Sequence, residues 1–375
     1  MSTHDPRQLA WAYLSAVAQG PSVHLAALVE HLGVEETARA VKSRDLPPSL
    51  EEKTRARAHI DTAQRDLDLM AAMGGRLVTP DSPEWPSWRL LPFNDLDVAA
   101  GEVPPFVLWV LGSRDLTELT ERSVAIVGTR ASTAYGEHVT AEIAGDLAVD
   151  GWTVTSGAAF GIDGAAHRSA MGVGGTTVAV LACGVDRAYP SGHARLLRQI
   201  VSSGAVVSEY PPGTTPAKFR FLARNRLVAA LSDGVVVVEA GWRSGARNTA
   251  NWARKLGRPV MAVPGPVTSS SSAGCHRMIR EGEAYLVANA VDVVEVSGPF
   301  GVLNSEQDAA AVRDIDSLTG NSRLVYEALP GSGSRSTNEL SEASGLLISQ
   351  VRATLPLLEL EGFIDSDGSG WFRTK

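Results

Sequence analysis

The segment SVAIVGTRASTAYG, residues 123–136, decides the fold. It is a short apolar run, rich in valine, that ends at Gly128 and continues into a sequence that suits a helix. Further runs of this kind follow, most of them separated by helix-like stretches: TVTSG, TVAVLAC, AVVSEY, GVVVVEA and PVMAVPG. Strands that are apolar on both faces and alternate with helices are typical of a parallel sheet covered on both sides. Residues 123–296 are therefore predicted to form a doubly wound α/β domain, with its ligand beyond the carboxyl ends of the strands.

The flanking segments have other patterns. Residues 1–72 are predicted to be helical, because RQLAWAYLSAV and HLAALVEHL carry apolar residues three and four positions apart. Residues 73–122 are rich in Pro, Trp and Asp and are predicted to be an irregular connection packed on the core. Residues 297–319 are acidic, small and polar, which predicts a linker. Residues 320–375 read as three helices and a hairpin turning at Asp-Gly-Ser-Gly, the pattern of a winged-helix domain.

The composition is that of a globular protein of two or three domains, with 375 residues, 44% hydrophobic and 20% charged. No run of about 18 apolar residues occurs, and the first residues, MSTHDPRQLAWAYL, lack the basic and apolar regions of a signal peptide. Two cysteines, Cys183 and Cys275, are too few for a disulfide framework. These features predict a cytoplasmic protein with no membrane partner.

Positive charge is concentrated in one part of an acidic chain. The net charge of −8 argues against a general nucleic-acid binder. Residues 123–296, however, hold 16 Lys and Arg against 13 Asp and Glu, and residues 218–258 alone carry nine cations and two acids. A local excess of this kind attracts polyanions even to an acidic protein.

The loop after the first of these strands is a candidate anion site. Gly128 allows close approach of the backbone at the start of a helix, and Arg130 adds a planar cation that matches phosphate. The dinucleotide fingerprint G-x-G-x-x-G is absent, because arginine stands where its second glycine would be, so an NAD site is disfavoured. The structural alternative is a plain strand-to-helix turn with an exposed arginine.

A second glycine-rich turn, TSGAAFGIDGAAH at residues 155–167, also leads into a helix. Asp163 and His167 are four residues apart and could share a helix face, but no third ligand lies nearby, so no metal is expected. Asp163 is expected to cap the helix or to orient His167. Glu209 and Glu239 each end a strand without a paired acid, so a structural role is favoured over catalysis.

The segment KFRFLARNRLVAALS, residues 218–232, combines cations with aromatic residues. If a helix starts near Phe221, then Phe221, Arg224 and Asn225 share one face. The core side would then be formed by Leu227, Val228 and Leu231. Cations with an aromatic side chain supply backbone attraction and base stacking, the two requirements for holding a single strand without sequence preference. The alternative is an amphipathic helix with solvated arginines.

In this order, the motifs resemble those of the DNA-processing protein A family, called DprA or Smf, whose members are bacterial single-stranded DNA binders. The segments that carry the resemblance cover residues 124–285 almost continuously: VAIVGTRASTAYG, TSGAAFGIDGAAH, VAVLACGVDRAYP, VVSEYPPG, KFRFLARNRLVAALS, VVVVEAGWRSGARNTANWA and MAVPGPVTSSSSAGCHRMIREGEA. The resemblance implies a Rossmann-like domain that binds the strand in a positive pocket. The N-terminal segment resembles the family's SAM-like helical domain only loosely.

The resemblance also implies site residues and partners. The family's Gly-(Ser/Thr)-Arg loop and its Lys-x-x-Phe-x-x-Arg-Asn-Arg element supply most of the candidate DNA-binding residues. With the second turn and a nearby cation, the full candidate set is Gly128, Thr129, Arg130, Ser156, Gly157, Lys218, Phe221, Arg224, Asn225, Arg226 and Arg247. Family members dimerise through this domain and load the recombinase RecA onto single strands coated by SSB, and they act in natural transformation, or competence, where that occurs. No catalytic activity, cofactor or metal is implied.

Some residues depart from the family pattern. After the Glu239 strand the family commonly has Ser-Gly-(Ser/Thr)-Leu-x-Thr-Ala, whereas this chain has Ser244-Gly-Ala-Arg-Asn-Thr-Ala250, which adds the cation Arg247. The predicted winged helix has a net charge of −2, which favours protein contact or support of a dimer over phosphate binding.

Two alternative functions remain at this stage. One is a nucleotide-binding enzyme of the lysine-decarboxylase-like (LOG) phosphoribohydrolase type, whose fold is similar. That type carries Pro-Gly-Gly-x-Gly-Thr-x-x-Glu after a comparable strand, but EAGWRSGARNTANWA lacks the double glycine and the downstream glutamate. The other is an adaptor that acts through its winged helix, which leaves the cation cluster unexplained.

Overall fold

The structure, a computed structural model, describes residues 4–98, 101–242, 244–298, 318–330, 333–368 and 370–374. The chain divides into two compact units, one on each side of residue 300. Most of the predicted linker at 297–319 lies outside the described residues.

Helices fill the described residues before the first strand: α1 (Pro6–Ala18), α2 (Val23–Leu32), α3 (Val34–Ser43), α4 (Pro48–Thr54) and α5 (Ala63–Ala72). The Asp5 carboxylate accepts a hydrogen bond from the Arg7 N–H, and Pro6 takes the first helical position, so α1 has a well-defined start. Tyr13 and Leu14 of α1 are fully buried between the other helices and the sheet. The helical pattern predicted for 1–72 is therefore observed, and its likeness to a SAM domain stays a prediction.

The strands of the first unit are β1 (Gly75–Val78), β2 (Leu108–Leu111), β3 (Ser123–Val127), β4 (Thr153–Ser156), β5 (Thr177–Val180), β6 (Ala205–Ser208), β7 (Gly234–Val237), β8 (Val260–Ala262) and β9 (Tyr285–Leu286). Within the described residues they form one sheet in the order β1-β2-β6-β5-β4-β3-β7-β8-β9. In this sheet order, every neighbouring pair of strands from β6 across to β9 is parallel. At the other edge, β2 pairs antiparallel with β6, and β1 pairs antiparallel with β2. The predicted doubly wound, mostly parallel sheet is confirmed.

The remaining helices of this unit are α6 (Ser87–Leu90), α7 (Leu116–Glu121), α8 (Ala134–Val149), α9 (Ile162–Gly172), α10 (Ala194–Ser203), α11 (Lys218–Ala230), α12 (Ala246–Lys255), α13 (Ala273–Arg280) and α14 (Ala290–Ser297), with short 3-10 turns at Leu91–Asp95 and Ser191–His193. Successive side chains of β3 point to opposite faces of the sheet. Val124 and Ile126 pack in the core that contains α8, while Ala125 and Val127 pack in the core that contains α11. Burial on both faces explains why the strand reads as a continuous apolar run.

The irregular connection predicted at 73–122 is corrected in part, because this segment supplies two strands to the sheet. β2 pairs with β6, with Val110 opposite Val207, and β1 pairs with β2. Each strand has only four residues, and the Pro-, Trp- and Asp-rich sequence between them obscures their pattern. Trp109 of β2 is fully buried and donates its indole N–H to the Ser15 hydroxyl at 3.1 Å, which ties α1 to the sheet.

The second unit contains α15 (Gly320–Glu327), α16 (Thr337–Ser344), α17 (Ile348–Leu360) and a hairpin of β10 (Ile364–Ser366) and β11 (Trp371–Arg373). Ser336 and Glu339 form a reciprocal capping box at the start of α16. Val325, Leu340, Val351 and Leu358 are fully buried in a core of its own. The element order agrees with the sequence analysis, and the winged-helix assignment stays a prediction.

Candidate functional site

The site lies where the strand order changes direction. The chain runs from β3 through β4 and β5 to β6 on one side, and then returns to β7 on the other side of β3. In open α/β sheets the crevice at such a point, beyond the carboxyl ends of the strands, is the usual ligand site. The Gly128 loop follows β3, and residues 238–241 follow β7.

Gly128 is held too tightly to carry a side chain. A Cβ at this position would lie 2.5 Å from Cγ1 of Ile162 and 3.0 Å from the Glu239 carbonyl oxygen. The next residue, Thr129, donates its N–H to that carbonyl at 2.8 Å, and its own carbonyl accepts the Ile162 N–H at 3.2 Å. The backbone at Gly128 and Thr129 is therefore fixed between the segment after β7 and the start of α9. The next residue, Arg130, is exposed to solvent.

Glu239 is a structural residue in this arrangement. Its carboxylate is buried and accepts the Thr133 N–H at 2.9 Å and the Thr133 hydroxyl at 2.6 Å. Thr133 in turn caps α8 through the Gly136 N–H. Both carboxylate oxygens are thus used to hold the Gly128 loop, in agreement with the structural role favoured from the sequence.

The helix α11 begins at Lys218, three residues before the predicted start near Phe221. Lys218 is consequently the first helical residue and not a cation before the helix. The core side is as predicted, because Leu227, Val228 and Leu231 are fully buried. Phe221, Arg224 and Asn225 all line one cleft and so share a face of α11, as predicted.

The cleft has a volume of about 520 Å³ and brings together seven of the candidate residues: Gly128, Thr129, Arg130, Gly157, Phe221, Arg224 and Asn225. The Arg130 guanidinium carbon lies 5.5 Å from the centre of the Phe221 ring, a cation–π contact. Among the described residues, that guanidinium makes no hydrogen bond and no ion pair with another side chain. An exposed cation on an aromatic ring is available to an anionic ligand.

Arg224 is 5% exposed and is fixed by the backbone. Nη1 donates to the Gly157 carbonyl at 2.8 Å and to the Val180 carbonyl, and Nε donates to Oδ1 of Asn225 at 3.3 Å. A Cβ on Gly157 would lie 2.7 Å from Cζ of this guanidinium, so glycine is needed to admit it. Burial lowers the pKa of Arg224, and the nearby Asp163 carboxylate opposes that change.

Asp163 lines the cleft. The sequence analysis had expected this residue to cap the helix or to orient His167. Oδ2 accepts the Ala159 N–H at 3.3 Å. Burial raises the pKa of this carboxyl group, and Arg224 and the backbone N–H groups act against the rise. His167 instead bonds the Thr177 hydroxyl through Nδ1 at 2.7 Å, and burial lowers its pKa to about 3. The described residues contain no group of three His, Cys, Asp or Glu side chains that could hold a metal ion.

Two candidate residues are buried away from the cleft. Ser156 donates its hydroxyl to the Ile126 carbonyl at 2.6 Å and is inaccessible. Arg226 is 2% exposed and forms an ion pair with the buried Glu209, Nη2 to Oε2, at 2.6 Å. The Arg226 side chain therefore does not line the cleft, and its contact with the DNA backbone stays a prediction that this burial does not favour.

Two further candidates lie outside the cleft lining. Lys218 is exposed at the start of α11, and among the described side chains it has no acidic partner. Arg247 is partly exposed and donates to the Trp242 carbonyl at 3.4 Å. The residues that the sequence analysis missed are small and polar ones from the turn after β7 and the start of α12, such as Ser244 and Thr249. They can be recognised as cleft residues only because β7 lies next to β3, which places the turn beside Gly128.

Comparisons with known proteins show the family of the chain. The family model of DNA recombination-mediator protein A matches residues 76–298. The chain belongs to this family. It is 50% identical over 369 residues to a DNA processing protein DprA sequence of Mycobacterium tuberculosis, covering 98% of this chain and 94% of the relative. Protein Smf of Escherichia coli K12 is 36% identical over 300 residues, covering 78% and 79%.

A solved structure supports the same conclusion. The X-ray structure of DNA processing protein A from Streptococcus pneumoniae superposes with a TM-score of 0.63 at 29% identity, covering 78% of this chain and 98% of that one. The resemblance to the DprA family is therefore confirmed, and with it a role in DNA processing and recombination. Among the described residues, no helix has the length and apolar character needed to cross a membrane.

Proposed function

We propose that this protein binds single-stranded DNA through the cleft at the ends of β3 and β7, without preference for sequence. The observation that carries the proposal is the exposed Arg130 guanidinium on the Phe221 ring, in a cleft that the immobilised Arg224 also lines. A strand needs cations for its phosphates and an aromatic face for its bases, and the cleft offers both within one cavity.

The charges around α11 and α12 support this location. Three cations of the basic segment are paired with acids: Arg226 with Glu209, Arg254 with Glu283 and Lys255 with Glu102. Arg130 in the cleft and the exposed Lys218 at the start of α11 have no such partner among the described residues. Arg130 therefore keeps an unpaired positive charge in the cleft, where it attracts a polyanion.

We further propose that the protein is not an enzyme. Both carboxylate oxygens of Glu239 are bonded to Thr133, and Asp163 is buried beside Arg224. Neither carboxylate is free in the cleft to act as a general base on a bound nucleotide. The phosphoribohydrolase alternative is not favoured, since the turn after β7 also lacks the glycines and the glutamate of that type.

The proposal is tested by fluorescence anisotropy with labelled oligo-dT, matched duplex and AMP, over a series of salt concentrations. We expect tight binding to the single strand alone, weakened steeply by salt because phosphate contacts release counterions. Equal binding of duplex and strand, or binding and hydrolysis of AMP, would contradict it. An affinity that does not change with salt would remove the electrostatic basis of the proposal.

RecA loading and action in natural transformation belong to the same proposal and rest on the family's role in recombination. We expect the protein to speed the RecA ATPase on single strands coated by SSB, because a bound strand must be handed to the recombinase. Omission of the protein and omission of RecA are the controls. No change in ATPase onset at any protein concentration would contradict the loading role.

A homodimer and a cytoplasmic location also stay predictions. The exposed side chains of β9 support dimerisation: Tyr285 is 63% exposed and Leu286 is 54% exposed, in the last strand of the sheet that the described residues form. Unpaired strand edges with apolar side chains are common points of association. Light scattering after size exclusion would detect the dimer, and a monomer mass at high concentration would rule it out.

A further inference from the structure

An apolar groove of about 680 Å³ lies between α2 and the segment that connects β1 to β2. The buried rings of Trp11 in α1 and Phe106 line it, with their centres 5.1 Å apart. None of the described residues that line this groove also lines the cleft at the ends of β3 and β7. The groove is therefore separate from the proposed DNA site.

One wall of the groove is a helix that the protein leaves largely uncovered. Seven of the ten residues of α2 are apolar, yet only Leu25 is buried. The groove is lined by four residues of α2 whose spacing of three, four and seven positions puts them on one face of the helix: Val23, Ala26, Ala27 and Glu30. Because the distance between packed helices depends on the side chains at the contact, two adjacent alanines allow a second helix to approach closely.

The residues that line the groove from the connecting segment are also apolar and open to solvent. Leu91 is 60% exposed and Val98 is 50% exposed. Apolar side chains grouped at the surface and rimmed by polar residues mark sites of protein association. Because a cavity of about 150 Å³ holds benzene, the groove has room for about four side chains of that size. This capacity suits the three or four apolar anchors of an amphipathic helix.

The rim of the groove is acidic. Three charged residues line it among the described residues: Arg7, Glu30 and Asp81. Asp81 neutralises Arg7, whose Nη2 donates to Oδ2 at 2.7 Å, and Glu30 is exposed without a cationic partner among the described side chains. The hydrogen bond to Asp81 raises the pKa of Arg7, and the nearby Glu35 carboxylate adds to the rise. Residues 1–122 as a whole hold 12 Lys and Arg against 18 Asp and Glu, so this surface attracts cations and repels polyanions.

We propose that this groove binds an amphipathic helix of a partner protein, with the apolar face of that helix against α2 and its Lys or Arg side chains toward Glu30 and Asp81. Helix-in-groove recognition takes its affinity from apolar anchors at i, i+3, i+4 and i+7. The carboxylates at the rim add selectivity, because complementary charge fixes the register of the helix and rejects acidic competitors. The inference goes beyond the binding of single strands and does not depend on it.

The test uses peptides of about 15 residues, enough for roughly four helical turns, displayed on phage without a fixed sequence and selected on the immobilised full-length protein. We expect the selected peptides to carry apolar residues at i, i+3, i+4 and i+7 with Lys or Arg beside them, because that pattern fits the groove and its rim. A fluorescent copy of the most frequent peptide then gives dissociation constants by anisotropy for the wild type and for variants of the groove.

Two pairs of variants locate the peptide. Ala27→Trp fills the groove from an exposed position and should weaken peptide binding about tenfold or more, because the added ring clashes with the bound helix. Ala72→Trp adds the same bulk at an exposed helical position outside the groove and should keep the affinity. Glu30→Lys should weaken binding about fivefold, since an ion pair is replaced by a like-charge contact. Its control, Glu52→Lys, changes the net charge equally at an exposed position away from the groove and should have no effect.

The outcomes decide between the occupants of the groove. Peptides that bind Ala27→Trp as tightly as the wild type, or that lack cations and bind Glu30→Lys unchanged, would overturn the proposal. A wild-type mass in light scattering that rises with concentration, and stays that of a monomer in Ala27→Trp, would show that a second copy of the chain fills the groove instead. An unchanged urea midpoint and oligo-dT affinity show that Ala27→Trp is folded. If it is not folded, equal peptide affinities of Glu30→Lys and Glu52→Lys overturn the proposal by themselves.

Discussion

Replacing Arg226 by methionine is expected to lower the free energy of unfolding by about 3–5 kcal/mol. The substitution leaves Glu209 buried, without the cation that compensates its charge. Even in the wild type the pair is incompletely bonded, since Oε1 of Glu209 and two nitrogens of Arg226 have no hydrogen-bond partner among the described residues. Urea unfolding followed by tryptophan fluorescence measures the change, and seven of the eight tryptophans lie before residue 300.

The matched control is the double variant Arg226→Met/Glu209→Leu. Removing both charges and keeping the volume is often neutral or stabilising for a buried ion pair, so we expect stability close to that of the wild type. The double variant should also bind oligo-dT as the wild type does, because the Arg226 side chain does not line the cleft. Lost DNA binding in a stable double variant would restore Arg226 to the site.

The deficit of Arg226→Met should depend on pH. Burial already raises the pKa of Glu209, and Arg226 opposes the rise, so removal of the arginine raises the pKa further. A carboxyl group whose pKa is higher in the folded than in the unfolded chain loses stability as the pH rises through that interval. The variant should therefore be closer to the wild type at pH 5 than at pH 8. A deficit that grows on acidification would show that Glu209 is not the cause.

Arg226 also shows what sequence can and cannot predict for this protein. The five Val-rich runs and the shorter TVTSG run each became a strand of the sheet, because a strand buried on both faces must be apolar throughout. The arginines of α11 carry no such signal. Arg224 and Arg226 are both buried, yet Arg224 lines the cleft whereas Arg226 pairs with Glu209. This difference depends on where the chain places Glu209, the residue that follows β6.

Other parts of the site depend on tertiary neighbours in the same way. Asp163 lines the cleft because the turn before α9 folds back toward β3, a contact that its spacing from His167 does not reveal. Tyr189 comes next to Phe221 from a loop about thirty residues earlier in the chain. The strands β1 and β2 are four residues each, too short for a period to be read, and they are recognisable only once β6 offers them an edge.

The double variant Arg130→Ala/Lys218→Ala is expected to lose single-strand affinity by on the order of 100-fold, because each charge-assisted contact contributes about 1.5 kcal/mol or more. The loss should be equal for any sequence, since phosphates carry no sequence information. It should also decrease the slope of log affinity against log salt by about 1.4, because each phosphate contact on a single strand contributes roughly 0.7. Anisotropy titrations of oligo-dT from low to high salt give both quantities.

Two matched variants isolate the cause of that loss. Arg55→Ala/Arg198→Ala removes the same net charge from exposed positions that do not line the cleft, and it should keep both affinity and slope. Phe221→Ala should weaken binding by about 1–3 kcal/mol through lost base stacking while leaving the salt slope unchanged, because no cation is removed. If the distant arginines matter as much as Arg130 and Lys218, the protein attracts DNA by its general field, and the cleft at the ends of β3 and β7 is not where the strand is held.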